Sequence, residues 1–470
     1  MYAAKDLEYR TIQGLKLGYP VARPEIPTEV YEARKEAFLK LMRAKGLDCV
    51  VIYADREHNG NFKYFTGVDP RFEEGLLVIH ASGKVYGALG NECLVLENTS
   101  AIPMEGVSCQ AFSLPNQPMD CFMGMEDVLR RCGLAEGMRV GLTDWKLFTE
   151  KHGADWKRLF GMPWYIVEAV ASVVGGMDRL SNETALLIAP GTGLRLRAEA
   201  DAIAAFEFGA TCASQSVLDM MDLLRSGMSE MEIANLARTY GQPLSCHTYV
   251  VSGPNCRRGL ISPGNHRLMV GDPITVSVGI EGGLTCRSGM AANDARDFGP
   301  DGEYYLEEIV KPYIAAVFNW YETIGIGVRC GDIYDMIQSN IPAEKHGWKL
   351  NPGHMLGYEE WLNSPIYKGS DVRIESGNIF QMDIIPSDPV YHGPNAEDGV
   401  AIADEALREQ LAQRHPEVYA RIMARRRFAE EQIGLKLKPE VLPLANSFCE
   451  YRPFMLCRER AIAVRKGEAK

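Results

Sequence analysis

The chain has 470 residues, enough for two or three domains at roughly 150 residues each. Hydrophobic residues make up 46% and charged residues 24%, which excludes a disordered, collagen-like or coiled-coil chain. Lys and Arg number 50 against 62 Asp and Glu; the net charge of -12 gives no general attraction to nucleic acid or anionic lipid, so neither is expected as a partner.

The first predicted element is an amphipathic helix over residues 29–45, with Phe38, Leu41 and Met42 at helical spacing and Gly46 closing it. Short apolar runs at 49–53 and 76–79 read as strands, and Ser82-Gly83 turns the chain into a third at 84–86. Helices alternating with such strands predict an α/β domain. Ala189-Pro190-Gly191-Thr192-Gly193 reads as a linker, which places the first domain at 1–190 and the second at 191–470. The second domain opens with a long helix over 197–224 and a stop at Gly227, then a capping box at Ser229-Glu230-Met231-Glu232. A strand at 248–251, a loop over 252–270, a strand pair at 274–280 and 284–292, helices at 305–324 and 333–341, and strands at 379–385 and 399–402 follow. That order of helices and antiparallel hairpins predicts an α+β class. The charged tail over 405–434, densest at Arg425-Arg426-Arg427, reads as a solvated helix face.

No run of 18 apolar residues occurs, and Met1-Tyr2-Ala3-Ala4-Lys5-Asp6 lacks the apolar core of a secretory signal, so a cytoplasmic location is expected. The 12 Cys include no CxxC pair and read as reduced thiols.

Six local patterns in the second domain resemble, in order, the superfamily of creatinase, aminopeptidase P, prolidase and methionine aminopeptidase. They are Gly227-Met228-Ser229-Glu230-Met231-Glu232-Ile233, Val251-Ser252-Gly253-Pro254-Asn255, Gly271-Asp272, Pro352-Gly353-His354-Met355-Leu356-Gly357, Gly377-Asn378-Ile379-Phe380-Gln381-Met382-Asp383 and Ala396-Glu397-Asp398-Gly399-Val400. In the first domain, Asn61-Phe62-Lys63-Tyr64-Phe65-Thr66-Gly67 is similar to a motif of the creatinase and aminopeptidase P branch. The resemblance implies a C-terminal pita-bread domain behind a smaller α/β domain, and a hydrolase acting on C–N bonds.

The peptidases of that family hold two divalent ions on two Asp, one His and two Glu, enough negative charge to neutralise the pair. By the same resemblance, Ser277 and Ser288 stand where the two Asp belong, His354 and Glu397 are kept, and the first Glu is shortened to Asp383. One imidazole and two carboxylates balance one divalent ion and not two. The expectation is therefore an enzyme without a binuclear centre, creatinase-like, with His354 moving protons and Asp383 and Glu397 orienting a small polar substrate, with or without a carboxylate. No cofactor is expected; one divalent ion on His354, Asp383 and Glu397 is the alternative reading, and a non-catalytic binding protein of the same fold is a third.

Further candidates surround this set. Cys286 and the two serines lie on the hairpin that would supply the Asp ligands, and Arg287 between them is a candidate for a substrate carboxylate. Trp361 stands where a second His is usual in the peptidases, and Leu260 where creatinase has its catalytic His; His247 is a candidate to approach the site in its place. Arg71 and Phe72 resemble a pair that a neighbouring subunit's N-terminal domain contributes, which implies a homodimer.

Overall fold

The structure is a computed structural model that describes residues 1–466, and for 298–300 the backbone alone. It divides into two compact units: Ile26–Leu196, and Met1–Glu25 together with the chain from Arg197 onward. The expected linker at 189–193 therefore falls inside the first unit.

The second unit begins with strand β1 (Leu7–Thr11). In the first unit the helix Thr28–Ala44 buries Tyr31, Phe38, Leu39 and Met42, the stripe that its 3.6-residue period lines up. Strands β2 (Cys49–Ala54), β3 (Gly75–His80), β4 (Val85–Leu89), β5 (Glu105–Ser108), β6 (Val140–Thr143) and β7 (Leu180–Asn182) form one mixed sheet in the order β5-β4-β3-β2-β6-β7. The β2–β3 and β3–β4 pairs are antiparallel and the other pairs parallel.

The second unit is built on strands β8 (Cys246–Ser252), β9 (Pro273–Ile280), β10 (Gly283–Met290), β11 (His354–Met355), β12 (Ile379–Met382), β13 (Asn395–Ile402) and β14 (Val441–Pro443). They pair antiparallel in the order β11-β12-β13-β10-β9-β8, with β14 also on β13. Strand β15 (Arg460–Val464) pairs with β1, so residues 1–25 fold with the C-terminal unit and not with the first domain, to which the sequence reading assigned them. A pairing between the two ends of the chain leaves no local sequence signal.

The helix Ala200–Leu223 packs on the β9–β10 hairpin closely enough that a Cβ on Gly209 would lie 1.9 Å from the carbonyl oxygen of Glu281. The capping box forms as the residues predict: Ser229 Oγ accepts from Glu232 N at 3.2 Å, and the Glu232 carboxylate accepts from Ser229 N at 2.7 Å. The tail is a correction. Its helix Pro416–Phe428 buries Arg426 against the backbone carbonyls of Leu437, Lys438 and Val441, and buries Arg425 because Glu207, fully buried on the long helix, accepts from Arg425 at 2.6 Å and from Arg421 at 2.5 Å. A buried carboxylate requires such partners.

Candidate active site

Strand alternation decides which side chains meet. The register places Tyr249 of β8 opposite Ser277 of β9, Ser277 opposite Cys286 of β10, and Cys286 opposite Glu397 of β13. These four therefore stand in one row on one face of the sheet. Asp383 follows β12 by one residue, one step past the Met382–Asp398 pair, which brings it opposite Glu397.

His354 opens β11, paired with Gln381, directly after Gly353. Gly353 has φ +114°, and a Cβ there would lie 2.9 Å from the carbonyl oxygen of Gln381, so only glycine lets the chain enter this strand. Past Met355 the chain folds back on itself: Met355 N donates to Asn363 O at 2.7 Å, and Leu362 N donates to Met355 O at 2.9 Å. The loop so closed carries Glu360 and Trp361 over the imidazole. Trp361 stacks on it with ring centres 4.1 Å apart and planes 21° apart, while remaining 39% exposed.

His354 is fully buried. Its Nδ1 lies 3.2 Å from Met355 O, which fits donation there and leaves Nε2 for the site. Nε2 is 3.0 Å from Glu360 Oε1, a close ion-pair contact without the alignment of a full hydrogen bond, and 3.9 Å from Asp383 Oδ2. Glu397 accepts from Gln381 Nε2 at 3.3 Å. The donor atoms of His354, Glu360 and Glu397 lie within 4.8 Å of one another. Asp383 Oδ1 and Ser277 Oγ are buried without an aligned partner. Among the described residues the ion pairs of Glu360 and Asp383 run to His354 alone, and Glu397 has none.

The electrostatics follow from that crowding. Burial, then repulsion from Asp383 and Glu360, holds the Glu397 carboxyl well above the usual carboxylate range. Burial raises Asp383 to about 6, with His354 pulling it down and Glu360 pushing it up. For His354, burial disfavours the imidazolium, but Glu360 and then Asp383 outweigh it and raise the pKa. Tyr249 is held far above its ordinary value by burial, then by Cys286 and Glu397; it stays protonated and donates to Cys286 Sγ at 3.3 Å. Burial and Glu397 likewise push the Cys286 thiol up, away from nucleophilic reactivity.

Of the residues singled out from sequence, His354, Asp383, Glu397, Ser277, Cys286 and Trp361 come together here. Ser288 shares their face of β10 but lies two residues along, its Oγ 2.7 Å from Thr275 Oγ1. Arg287 is a correction: alternation points it through the opposite face, where it is 1% exposed and bonded to Asp398 at 2.5 Å and to backbone carbonyls of Glu397, Ser447 and Glu450. Its guanidinium is engaged on that face and not beside Cys286. His247 is exposed and bonds Leu260 O at 3.1 Å. Arg71 is paired with Asp69, and Phe72 is 58% exposed; both belong to the first unit. Two site residues escaped the sequence reading. Tyr249 was legible as the outward position of a strand beside Ser277, whereas Glu360 depends on the fold of its loop.

The arrangement is a buried polar cluster on one face of the antiparallel sheet. Residues 207–408 match the model of metallopeptidase family M24, and the C-terminal unit is a pita-bread domain of that family, preceded by a smaller N-terminal domain. Similar solved structures include the prolidase of Pyrococcus horikoshii (16% identity, 79% of this chain and 95% of that chain, TM-score 0.60) and the dipeptidase PepE of Mycobacterium ulcerans (18%, 81% and 95%, 0.59). Pseudomonas aeruginosa aminopeptidase PepP is another (15%, 81% and 93%, 0.56). At these identities the likeness establishes the fold. No curated protein matches the chain.

The binuclear centre usual in this family does not fit the residues present. Ser277 and Ser288 offer neutral hydroxyls at two of the five ligand positions, and Ser288 is already bonded to Thr275. Hydroxyls do not supply the charge of bridging carboxylates.

Proposed function

We propose that the M24 domain hydrolyses the C–N bond of a small polar amide, and does so without a binuclear metal centre. One observation carries the reading: His354, Glu360, Asp383 and Glu397 converge on a face where serines replace two family ligands. In this reading Asp383 accepts a proton from the attacking water, while the Glu397 carboxyl, held protonated by its surroundings, donates a hydrogen bond to the substrate. The hydroxyls of Tyr249 and Ser277, in one row with Glu397, donate to the carbonyl oxygen as it gains charge. Trp361 covers the imidazole and limits water. A second reading, in which His354 itself transfers protons while Asp383 and Glu397 orient the substrate, is favoured by the Nδ1 contact with Met355 O, which frees Nε2.

The test incubates the purified full chain with a panel of dipeptides, N-acyl amino acids and ureido compounds, and follows amine release by mass spectrometry alongside total metal content. Turnover that Glu397→Gln abolishes is expected. Absence of turnover across the panel overturns the hydrolase assignment; two tightly bound ions per chain overturn the absence of a binuclear centre.

A further inference from the structure

We infer that His354, Glu360 and Glu397, with Asp383 beside them, form a site for a single divalent cation in which Glu360, a carboxylate outside the family's five ligand positions, takes the place of the lost ligands. The inference deepens the hydrolase reading at the same site, but it is read out by binding and not by turnover, so the two fail separately.

Four observations support it. One donor atom from each of His354, Glu360 and Glu397 lies within 4.8 Å of the others. An ion with bonds of about 2.0–2.2 Å closes that span by small side-chain rotations. Second, the set is one imidazole and carboxylates, ligands that suit Zn²⁺ and Mn²⁺. Third, His354 Nε2 and Asp383 Oδ1 are fully buried atoms with no aligned hydrogen-bond partner. Buried polar atoms are nearly always paired, and two such exceptions on side chains whose ion-pair contact, Nε2 to Asp383 Oδ2, is 3.9 Å point to a missing electrophile. Fourth, no Lys or Arg among the described residues pairs with Glu360, Asp383 or Glu397, whereas the buried carboxylates Glu207 and Asp398 on the same domain have Arg partners. Three carboxylates sharing one imidazole lack positive charge, and a divalent ion supplies it.

The second shell is in place as well. His354 Nδ1 is oriented by Met355 O, and Glu397 accepts from Gln381, contacts that fix a ligating imidazole and a ligating carboxylate. The chemistry such an ion supplies is Lewis-acid polarisation of a carbonyl oxygen. Stoichiometry stops at one, because Ser277 and Ser288 leave no charged ligands for a second ion.

Calorimetric titration of chelator-stripped full-length protein with Mn²⁺ and with Zn²⁺, checked by elemental analysis after gel filtration, tests this. One ion per chain is expected. Glu360→Gln, on a side chain 24% exposed and so safe for folding, should weaken binding by at least about tenfold, in line with the loss of a ligand or its support. Glu359→Gln, one residue away, should leave the affinity as it was. Binding of two ions, no saturable binding, or an affinity that Glu360→Gln leaves unchanged overturns the site. Loss of binding in Glu359→Gln equal to that in Glu360→Gln also overturns it, since it would show a general effect of the loop.

Discussion

Two faces of the same pair of strands treat charge in opposite ways. On one, Arg287 and Asp398 are each 1% exposed and form a bonded pair, extended by Ser447 Oγ to Asp398 and by four backbone carbonyls to the guanidinium. On the other, one residue away along each strand, Cys286 and Glu397 look into a cluster of three carboxylates that share one imidazole and leave polar atoms unpartnered. The first arrangement is what a buried ion pair needs to offset its desolvation. The second is what folding alone would remove, and it persists where something other than the protein completes it. Equal burial therefore separates structure from function less well than the count of satisfied partners does.

The largest effect that tests this contrast is on the satisfied face. Asp398→Asn leaves the Arg287 guanidinium buried without its counter-charge, and unfolding monitored by circular dichroism in urea should show a loss of about 3–5 kcal/mol. A loss below about 1 kcal/mol would mean that the pair is not structural. Next comes the lip of the site. Gly353→Ala forces a Cβ against Gln381 O and Trp320 at φ +114° and should cost about 1–3 kcal/mol while displacing His354. A variant of wild-type stability would show that the entry to β11 yields.

On the unsatisfied face the expectation reverses. In chelator-stripped protein, Glu397→Gln removes a carboxyl that has no ion pair among the described residues, and keeps the shape that accepts from Gln381. Its stability should change by no more than about 1 kcal/mol, with a melting temperature equal to or above that of the parent. A drop of several kcal/mol would place Glu397 with Asp398 among the structural residues and erase the difference between the faces.

Much of this was legible in the sequence, for reasons the two faces make plain. Hairpin strands, the capping box at Ser229 and the motif residues His354, Asp383 and Glu397 depend on local pattern, and the structure brings those three together. The placing of Arg287 beside Cys286 as a substrate contact ignored alternation, since neighbours in a strand cannot share a face. Arg425 needed knowledge that Glu207, two hundred residues earlier, lies buried against it, and a charged run alone gives no sign of that. Glu360 reaches His354 only because Met355 bonds to Asn363 and turns the loop back, a closure written in no residue-type signal of the segment.

The smallest expected effect concerns Cys286. It stands in the row with Glu397, yet its thiol is enclosed and pushed up by burial and by that carboxylate, and it accepts from the Tyr249 hydroxyl. A thiol kept protonated is a spacer on this face and not a reagent. Iodoacetamide at neutral pH should label the exposed Cys121 and leave Cys286 unmodified in the folded protein, as read by peptide mass spectrometry. Cys286→Ala should retain the fold and most of any turnover. Rapid alkylation of Cys286 together with loss of turnover would instead give the unsatisfied face a covalent chemistry, with Glu397 and His354 serving a thiolate.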